Sequence, residues 1–430
     1  MKKTDFEALL GSVSLEQEQP SPTLTGQELD DLLGPVSRQE FVSQYFSKTS
    51  LHLKGAPDKF SAIFSWERLK HALERGKCIT DKLYNIKASY AAGEDSGDPH
   101  DAAEVSHDKV IDVLNGGGTI CISNIQMADP FLAEWALAIS GQLNFTGTVG
   151  INCYISQDGS GFPMHYDARV ATTIQVAGKK LWKYSTEAAI PWPTNNAVYQ
   201  AGNMTTAVGK LPDNMDIQEV VLEPGDVLCL PAGAWHSARG IGCSMALNLS
   251  FTPQNYLAHL LPLLEKFAEQ NPYWRGGPPA TADKIQGNVP AEVVGYFRHR
   301  MAELQQLAEH IVRNENAPVE PWLRSLTRAS YKGKTQIRAI PEVSPKQLFA
   351  VSAPPLRYIE FQGLLLISFN NEIHKFPTSL APTLQRMADN STAFTIPEIL
   401  ALQHEANGLP HNEVIHYMQV LYKFGIIDLL

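Results

Sequence analysis

The pattern of apolar and polar positions divides this chain of 430 residues into four stretches. Residues 1–36 are rich in Ser, Gln, Pro and Glu, and we expect a flexible N-terminal arm there. From Arg38 to Arg75 the apolar residues recur at helical spacing. This spacing predicts helices at the entry to a first folded domain that spans residues 37–253.

Short runs with the character of β-strands follow between residues 119 and 251. Gly, Pro, Asp and Asn separate them, which is typical of an antiparallel sandwich or a small barrel. Gly178 is expected to form the turn of a hairpin between the third and fourth runs. The predicted strands are Thr119–Ile122, Gly147–Ile155, Ala171–Val176, Leu181–Tyr184, Glu219–Leu222, Val227–Leu230 and Met245–Phe251.

After Pro253 the apolar residues return to a spacing of three and four, which predicts a helical segment over residues 254–340. Residues 341–430 begin with a strand pair and continue with helices and a terminal apolar run. That order predicts a winged-helix-like α+β domain. From Ile340 onward acidic residues outnumber basic ones, so an interaction role is favoured over DNA reading.

Composition narrows the class of protein. The 44% hydrophobic and 19% charged residues are typical of a globular chain, and the formal net charge of −10 argues against direct nucleic-acid binding over the whole surface. No apolar run is long enough for a transmembrane helix, and no apolar region follows the first residues as in a signal peptide. Five scattered cysteines suggest neither a disulfide framework nor a zinc site. We therefore expect a cytoplasmic protein that does not span a membrane.

Two motifs in the β-rich region carry candidate chemistry. The first reads G-x5-H-x-D and ends in His165 and Asp167; the second reads G-x5-P-x-G-x2-H and ends in His236. Residues two apart in a strand project to one face, so His165 and Asp167 can point inward together. Two imidazoles and one carboxylate form the open triad of non-haem Fe(II) oxygenases. Either motif alone would more simply be a hydrogen-bonded turn, but the pair favours a metal site.

Lys180 is a candidate anion ligand. If Trp182 and Tyr184 face the interior of the barrel, Lys180 does too, whereas Lys179 and Lys183 point outward. An ammonium group buried without a partner is costly, so an inward Lys180 requires a bound anion or a neighbouring carboxylate. The alternative is a solvated charge at a hairpin.

The segments HYDARVATTIQVAGKKLWKY, LEPGDVLCLPAGAWHSA and GTVGINCYISQDGSG resemble the JmjC-type 2-oxoglutarate/Fe(II) oxygenases, in the ribosomal-oxygenase-like (cupin-4) branch. The resemblance implies a double-stranded β-helix, or cupin-like JmjC barrel, as the core. It implies Fe(II) held by His165, Asp167 and His236. It also implies that Lys180 binds the distal carboxylate of 2-oxoglutarate, with Asn152 and Asn248 near that cosubstrate, and O2 as the second cosubstrate.

The same resemblance implies hydroxylation of an unactivated C–H bond in an amino-acid side chain of a protein or peptide. A basic ribosomal protein is the substrate type of the branch, and the net negative charge suits a basic polypeptide. The helical segment would form a homodimer. Two alternatives stay open: a hydroxylase that tailors a biosynthetic peptide, and a JmjC-like scaffold without catalytic activity. Residues 168–171 depart from the acidic and aromatic residues of the branch, which leaves the substrate open.

Overall fold

The structure of this chain is a computed structural model. It describes residues 6–11, 13–14, 22–89, 103–199, 209–282, 287–313, 319–326, 344, 346–352, 356–369, 372–389 and 392–430. The chain folds as two compact units, Met1–Pro253 and Gln254–Leu430. The change from strand-like to helical spacing in the sequence falls at the same residue.

The first unit begins with short helices that pack into its core. Phe6 and Leu33 are 1% and 0% exposed and belong to one hydrophobic cluster with the barrel. The prediction of a flexible arm is therefore wrong for the described part of residues 1–36; residues 1–5, 12 and 15–21 lie outside the described residues. The few apolar side chains of this polar segment hold it on the first unit, because their burial in the hydrophobic cluster is favourable. The elements are α1 (Phe6–Leu10), α2 (Glu28–Leu33), α3 (Arg38–Glu40), β1 (Leu51–Leu53) and α4 (Trp66–Gly76).

The next part of the chain adds strands to the edge of the barrel sheet and helices that pack into the same core. Its longest helix starts at Pro130, preceded by Asp129, whose carboxylate accepts hydrogen bonds from the backbone N–H groups of Phe131 and Leu132. Arg68 also holds this carboxylate, at 2.6 Å, so the cap stays ordered although it is buried. The elements are β2 (Asn85–Ser89), β3 (Ala103–Glu104), α5 (Val110–Asn115), β4 (Thr119–Ser123) and α6 (Pro130–Gln142).

The core is a large antiparallel sheet, which confirms the predicted mainly β barrel. Its remaining strands are β5 (Gly147–Ser156), β6 (Gly161–Tyr166), β7 (Val170–Ser185), β8 (Ala197–Val198), β9 (Ile217–Leu222), β10 (Val227–Leu230) and β11 (His236–Pro253). The two longest strands, β7 and β11, pair with each other along most of their length. β10 flanks the first half of β7 and β9 flanks the second, whereas β6 and β5 flank the two halves of β11. Both long strands therefore run through the two faces of the rolled sheet.

The predicted hairpin at Gly178 is wrong, because β7 continues through this residue as one strand. Gly178 has φ +63°, and a Cβ atom there would lie 2.0 Å from the carbonyl oxygen of Cys243 on β11. The glycine thus permits a close approach of the two backbones and a kink, with a register shift on the opposite strand between Ile241 and Met245. The sequence pattern alone does not distinguish such a kink from a turn.

The second unit is helical at first and α+β afterwards. The helices are α7 (Tyr256–Gln270), α8 (Pro272–Arg275), α9 (Ala291–Arg313) and α10 (Val319–Leu326). Residues 327–340 of the predicted helical segment lie outside the described residues. Leu323 and Leu326 of α10 pack on Leu366, so this helix shares a core with the α+β part. Within the part of the chain that the structure describes, no helix has the length and hydrophobicity needed to cross a bilayer.

The α+β part has its own hydrophobic core. Its elements are β12 (Leu348–Val351), β13 (Tyr358–Phe361), β14 (Leu364–Phe369), β15 (Glu372–Pro377), α11 (Ala381–Asp389), β16 (Phe394–Thr395), α12 (Ile396–Glu405), α13 (His411–Lys423) and β17 (Ile427–Leu429). The two short strands β16 and β17 flank β12 in one sheet, and β13 to β15 form a second sheet. The strand pair β14 and β15, the three helices α11 to α13 and the terminal strand β17 follow the order that the sequence predicted for a winged-helix-like module, whereas β12, β13 and β16 were not predicted.

Candidate metal centre

His165, Asp167 and His236 converge at one end of the barrel. One ligand atom from each lies within 4.8 Å of the other two, and the two imidazole rings have centroids 4.1 Å apart. His236 is 6% exposed, and the side chain of Asp167 is 12% exposed. The two sequence motifs, seventy-one residues apart, therefore meet in space as predicted.

Strand geometry positions the three side chains. His165 and His236 are direct partners in the ladder between β6 and β11, and Asp167 follows immediately after β6. Tyr166 points away from the centre and packs against Trp235 with ring centroids 4.6 Å apart. Because side chains alternate along a strand, His165 and Asp167 face the centre, whereas Tyr166 faces the opposite side and contacts Trp235 there.

A backbone hydrogen bond ties the two motifs together. The N–H of Gly233 donates to the carbonyl oxygen of Asp167 at 2.8 Å. Gly233 has φ +86°, and a Cβ atom there would lie 2.1 Å from the carbonyl oxygen of Ile190. The glycine of the second motif is therefore required by a positive φ and by close packing, and it places His236 beside the first motif.

Each imidazole is oriented by a local hydrogen bond. The Nδ1 atom of His165 lies 2.8 Å from the carbonyl oxygen of Pro163, and the Nδ1 atom of His236 lies 2.9 Å from that of Ala234. A carbonyl oxygen only accepts, so Nδ1 carries the proton and Nε2 keeps its lone pair for a ligand. Burial lowers the pKa of His236, which favours the same neutral form.

Lys180 lies inside the barrel, as the strand alternation predicted. Lys180 is 3% exposed, and Trp182 and Tyr184 are also buried, at 7% and 9% exposed. The side chains of Lys179 and Lys183 are about half exposed. Among the residues that the structure describes, no carboxylate lies within 4.0 Å of the Lys180 ammonium group, which is 5.7 Å from the centre of the Tyr154 ring. Burial lowers the pKa of Lys180 to about 8. Of the two partners that the sequence left open, the observed site fits the bound anion.

Asn152 and Asn248 are direct partners across β5 and β11, and both are nearly buried. Asn152 accepts a hydrogen bond from the backbone N–H of Asn124 at 3.1 Å. Asn248 donates to Thr173 at 3.1 Å and accepts from Ser250 at 3.0 Å. Both amides therefore have structural partners within the barrel, and a role towards the cosubstrate stays a prediction for each.

Three further residues lie near the site: Trp182 and Arg169 were noticed in the sequence without an assigned role in the centre, and Tyr154 was not singled out. Tyr154 lies below Lys180 and packs edge-on against Phe162, with centroids 5.6 Å apart. Trp182 stacks beside His236, with centroids 6.0 Å apart. Arg169 lies next to Asp167, with an Nη2 to Oδ1 distance of 3.8 Å. The inward alternation of each strand was the available signal, but it does not rank one inward residue above another.

The donor set fits a ferrous ion. The two Nε2 atoms and one carboxylate oxygen can take three adjacent positions of an octahedral ion, because the hydrogen bonds at Nδ1 hold both rings in the required tautomer. The three open positions that remain are those that a bidentate oxoacid and dioxygen need. The buried Lys180 is a cation of the kind that would pair with the far end of such an oxoacid.

Comparisons with known proteins match part of this chain to a known domain. Residues 126–258 match the model of the JmjC domain. The uncharacterized protein YxbC of Bacillus subtilis is 22% identical over 314 residues, which cover 70% of this chain and 94% of that protein. Ribosomal oxygenase 1 of Gallus gallus is 25% identical over 304 residues, covering 67% of this chain and 48% of that protein.

Two further similarities agree with this result. The bifunctional lysine-specific demethylase and histidyl-hydroxylase NO66 of Drosophila persimilis is 31% identical over 189 residues, or 42% of this chain and 26% of that protein. The chain therefore spans about half of ribosomal oxygenase 1 and about a quarter of NO66. The X-ray structure of ycfD from Escherichia coli has the same fold, with a TM-score of 0.50 at 14% identity, over 92% of this chain and 98% of that one. Residues 126–258 of this chain therefore match the JmjC domain, and the chain as a whole is similar to proteins named as a ribosomal oxygenase and a histidyl-hydroxylase.

Proposed function

We propose that this protein hydroxylates an unactivated C–H bond in an amino-acid side chain of a protein or peptide. The observation that carries the proposal is the combination of the triad with a buried cation. Three ligand atoms lie within 4.8 Å of one another, and the ammonium group of Lys180 is buried without a carboxylate in reach among the described residues. A buried ammonium group of this kind requires an anion, and 2-oxoglutarate provides one.

The residues of the chain have distinct tasks in this reaction. His165, Asp167 and His236 would hold Fe(II), and Lys180 would bind the distal carboxylate of 2-oxoglutarate. When bound, iron and its cosubstrates supply the oxidation, in which 2-oxoglutarate and O2 become succinate and CO2 and one oxygen atom enters the substrate C–H bond. The aromatic rings of Trp182 and Phe162 beside the histidines limit the access of water.

The substrate is proposed to be a polypeptide. The names of two relatives support this choice, since they describe a ribosomal oxygenase and a histidyl-hydroxylase. A ribosomal protein is one candidate, because a chain with a net charge of −10 attracts basic polypeptides. A biosynthetic peptide is the second candidate, because residues 168–171 differ from the usual sequence of the branch next to the metal ligands.

A binding scaffold without catalysis is the competing class. A scaffold has no need for two histidines in a defined tautomer or for an unpaired buried lysine, and both features cost folding free energy. The arrangement of the described residues therefore favours an enzyme.

The test measures release of succinate from 2-oxoglutarate with Fe(II) and ascorbate, with and without ribosomal proteins or peptides. We expect turnover in the wild-type protein, none in His165→Ala, and a strongly raised KM for 2-oxoglutarate in Lys180→Ala. Lys179→Ala is the matched control, since its side chain is 53% exposed on the outer face of the same strand. Unchanged turnover in His165→Ala would contradict the iron assignment, and an unchanged KM in Lys180→Ala would contradict the cosubstrate assignment.

We also infer that the protein forms a homodimer through the helical segment. Neither α7 nor α9 has a buried residue, and both expose large apolar side chains. They include Leu257 at 60%, Leu261 at 51%, Phe297 at 53% and Met301 at 63%. Exposed apolar surface of this kind marks an association site, and a second copy of the chain presents the same surface.

Analytical ultracentrifugation tests the dimer. We expect the wild-type protein to sediment as a dimer and Phe297→Glu as a folded monomer. The control is Gln306→Glu, which adds the same charge at an exposed polar position of α9. A wild-type monomer at micromolar concentration would contradict the inference. Among the described residues, the five cysteines form no disulfide, and we propose the reducing cytoplasm as the compartment of the protein.

A further inference from the structure

Arg169 brings a positive charge to the metal centre. It follows Asp167 by two residues, and its Nη2 atom lies 3.8 Å from the Oδ1 atom of Asp167. Its side chain is 32% exposed, in contrast to Lys180, which is 3% exposed. A molecule that approaches the centre from solvent therefore meets the guanidinium group of Arg169, whereas the Lys180 ammonium group lies deep in the barrel.

The guanidinium group has hydrogen-bond donors that the described residues do not use. Its Nε atom is buried and has no hydrogen-bond partner. The contact with Asp167 is too long for a hydrogen bond, and no other carboxylate among the described residues lies within 4.0 Å. The remaining neighbours that influence its charge are Tyr154 and Cys121, whose pKa values are raised by burial, so both are neutral at pH 7. An arginine presents five N–H donors in a planar fork that fits a carboxylate.

The net charge of the centre with Fe(II) and 2-oxoglutarate bound predicts which charge on the substrate it attracts. The ferrous ion and Lys180 offset the charges of Asp167 and of the two carboxylates of 2-oxoglutarate. Arg169 then leaves a surplus of one positive charge beside Asp167. A cationic side chain at the point of hydroxylation is repelled by this surplus, and an anionic side chain is attracted.

We propose that Arg169 binds the substrate and selects a side chain that carries a carboxylate, Asp or Glu, at the point of hydroxylation. This inference rests on the proposed oxygenase function and specifies its substrate class. It restricts the residue that is hydroxylated and leaves the charge of the rest of the polypeptide open. The partly exposed position of Arg169 favours the substrate over 2-oxoglutarate, whose distal carboxylate already has the buried Lys180 as partner.

The test is a binding measurement that does not depend on turnover. Three peptides, Gly-Gly-Asp-Gly-Gly, Gly-Gly-Asn-Gly-Gly and Gly-Gly-Arg-Gly-Gly, are titrated into the full protein loaded with Mn(II) and 2-oxoglutarate. We expect the wild-type protein to bind the Asp peptide at least about tenfold more tightly than the Arg peptide, as for one charge-assisted pair. Arg169→Met should lose this preference, and Arg169→Glu should reverse it.

Matched variants distinguish an effect of the Arg169 charge on peptide binding from an effect on folding. Lys183→Met removes one positive charge from an exposed position on the outside of the same barrel and should keep the preference for the Asp peptide. Arg169→Gln is the second variant at the site, should Arg169→Met fail to fold. In Arg169→Met and Arg169→Gln we expect Mn(II) and 2-oxoglutarate still to bind, since neither variant removes a residue of the triad or Lys180.

Three outcomes would overturn the inference. Equal binding of the three peptides by the wild-type protein would show that Arg169 does not select charge. A loss of 2-oxoglutarate affinity in Arg169→Met would assign the residue to the cosubstrate, and a loss of Mn(II) affinity would make it a partner of Asp167. The oxygenase function is judged separately by succinate release in the wild-type protein, so its failure is distinguishable from failure of the Arg169 assignment.

Discussion

His165 and His236 make the same local hydrogen bond, each from Nδ1 to the carbonyl oxygen of the residue two positions earlier. The two residues are also direct partners in the ladder between β6 and β11. Both Nε2 atoms are therefore oriented by backbone geometry before any metal binds. A centre arranged in this way loses little conformational freedom when the ion arrives.

The first prediction concerns metal affinity. His236→Ala should weaken binding of Co(II), used as a stable substitute for Fe(II), by at least about 100-fold. Removing a group that only hydrogen-bonds a metal ligand already weakens metal binding by about 10–100-fold, and removing the ligand itself should cost more. Calorimetric titration measures the affinity. His404→Ala, at an exposed position of α12, is the control and should bind Co(II) like the wild-type protein. Retained affinity in His236→Ala would remove this residue from the ligand set.

The second prediction concerns the pH dependence of cosubstrate binding. Burial lowers the pKa of Lys180 to about 8, and only the ammonium form attracts a carboxylate. The KM for 2-oxoglutarate should therefore be constant below pH 8 and rise by about tenfold per pH unit above it. Steady-state kinetics between pH 6.5 and 9.5 measures this profile. A KM that is flat up to pH 9.5 would mean that Lys180 does not bind 2-oxoglutarate as an ammonium group.

The third prediction concerns stability without cosubstrate. The pKa of Lys180 falls from 10.5 to about 8 on folding, so the folded state disfavours its charged form. The cost is about 3 kcal/mol below pH 8, and it disappears as the pH rises towards 10.5. Lys180→Met should therefore raise the free energy of unfolding at pH 7, although it abolishes 2-oxoglutarate binding.

Chemical denaturation at pH 7 and pH 10 tests this prediction. The gain in Lys180→Met should shrink at pH 10, where the wild-type lysine is neutral in the folded state. Lys179→Met, at the exposed neighbouring position, should change stability by less than about 0.5 kcal/mol. A destabilised Lys180→Met protein at pH 7 would show that the lysine has a stabilising partner.

The fourth prediction concerns the N-terminal segment. Phe6 is 1% exposed within the main hydrophobic cluster, so Phe6→Ala should destabilise the first unit by about 3–5 kcal/mol. Glu7→Ala, at the exposed neighbouring position, is the control and should have little effect. Thermal unfolding measures both changes. Equal stability of the two variants would indicate that the segment does not pack as described.

The sequence predicted the convergence of the triad and the burial of Lys180 better than it predicted the course of the strands and the N-terminal segment. The triad and Lys180 were predictable because strand alternation and motif spacing are local rules. The burial of Phe6 and Leu33 was not, since a Ser- and Gln-rich composition conceals a few apolar anchors whose partners are distant in sequence. Gly178 was taken for a turn because a glycine of positive φ can reverse a strand or kink it. Which of the two occurs depends on the opposite strand.

The long strand β11 contains one residue of the triad and also forms the end of the first unit. This strand begins with His236, contains Asn248, and ends at Pro253, where the first unit ends. Its ladder with β7 is interrupted between Ile241 and Met245. An inserted residue can be accommodated at that interruption, whereas an insertion on either side of it would turn one set of inward side chains outward. We therefore expect natural and engineered length variation of this strand to be concentrated at the register shifts between Ile241 and Ala246, where an insertion leaves His236 on one side and Asn248 on the other in their inward positions.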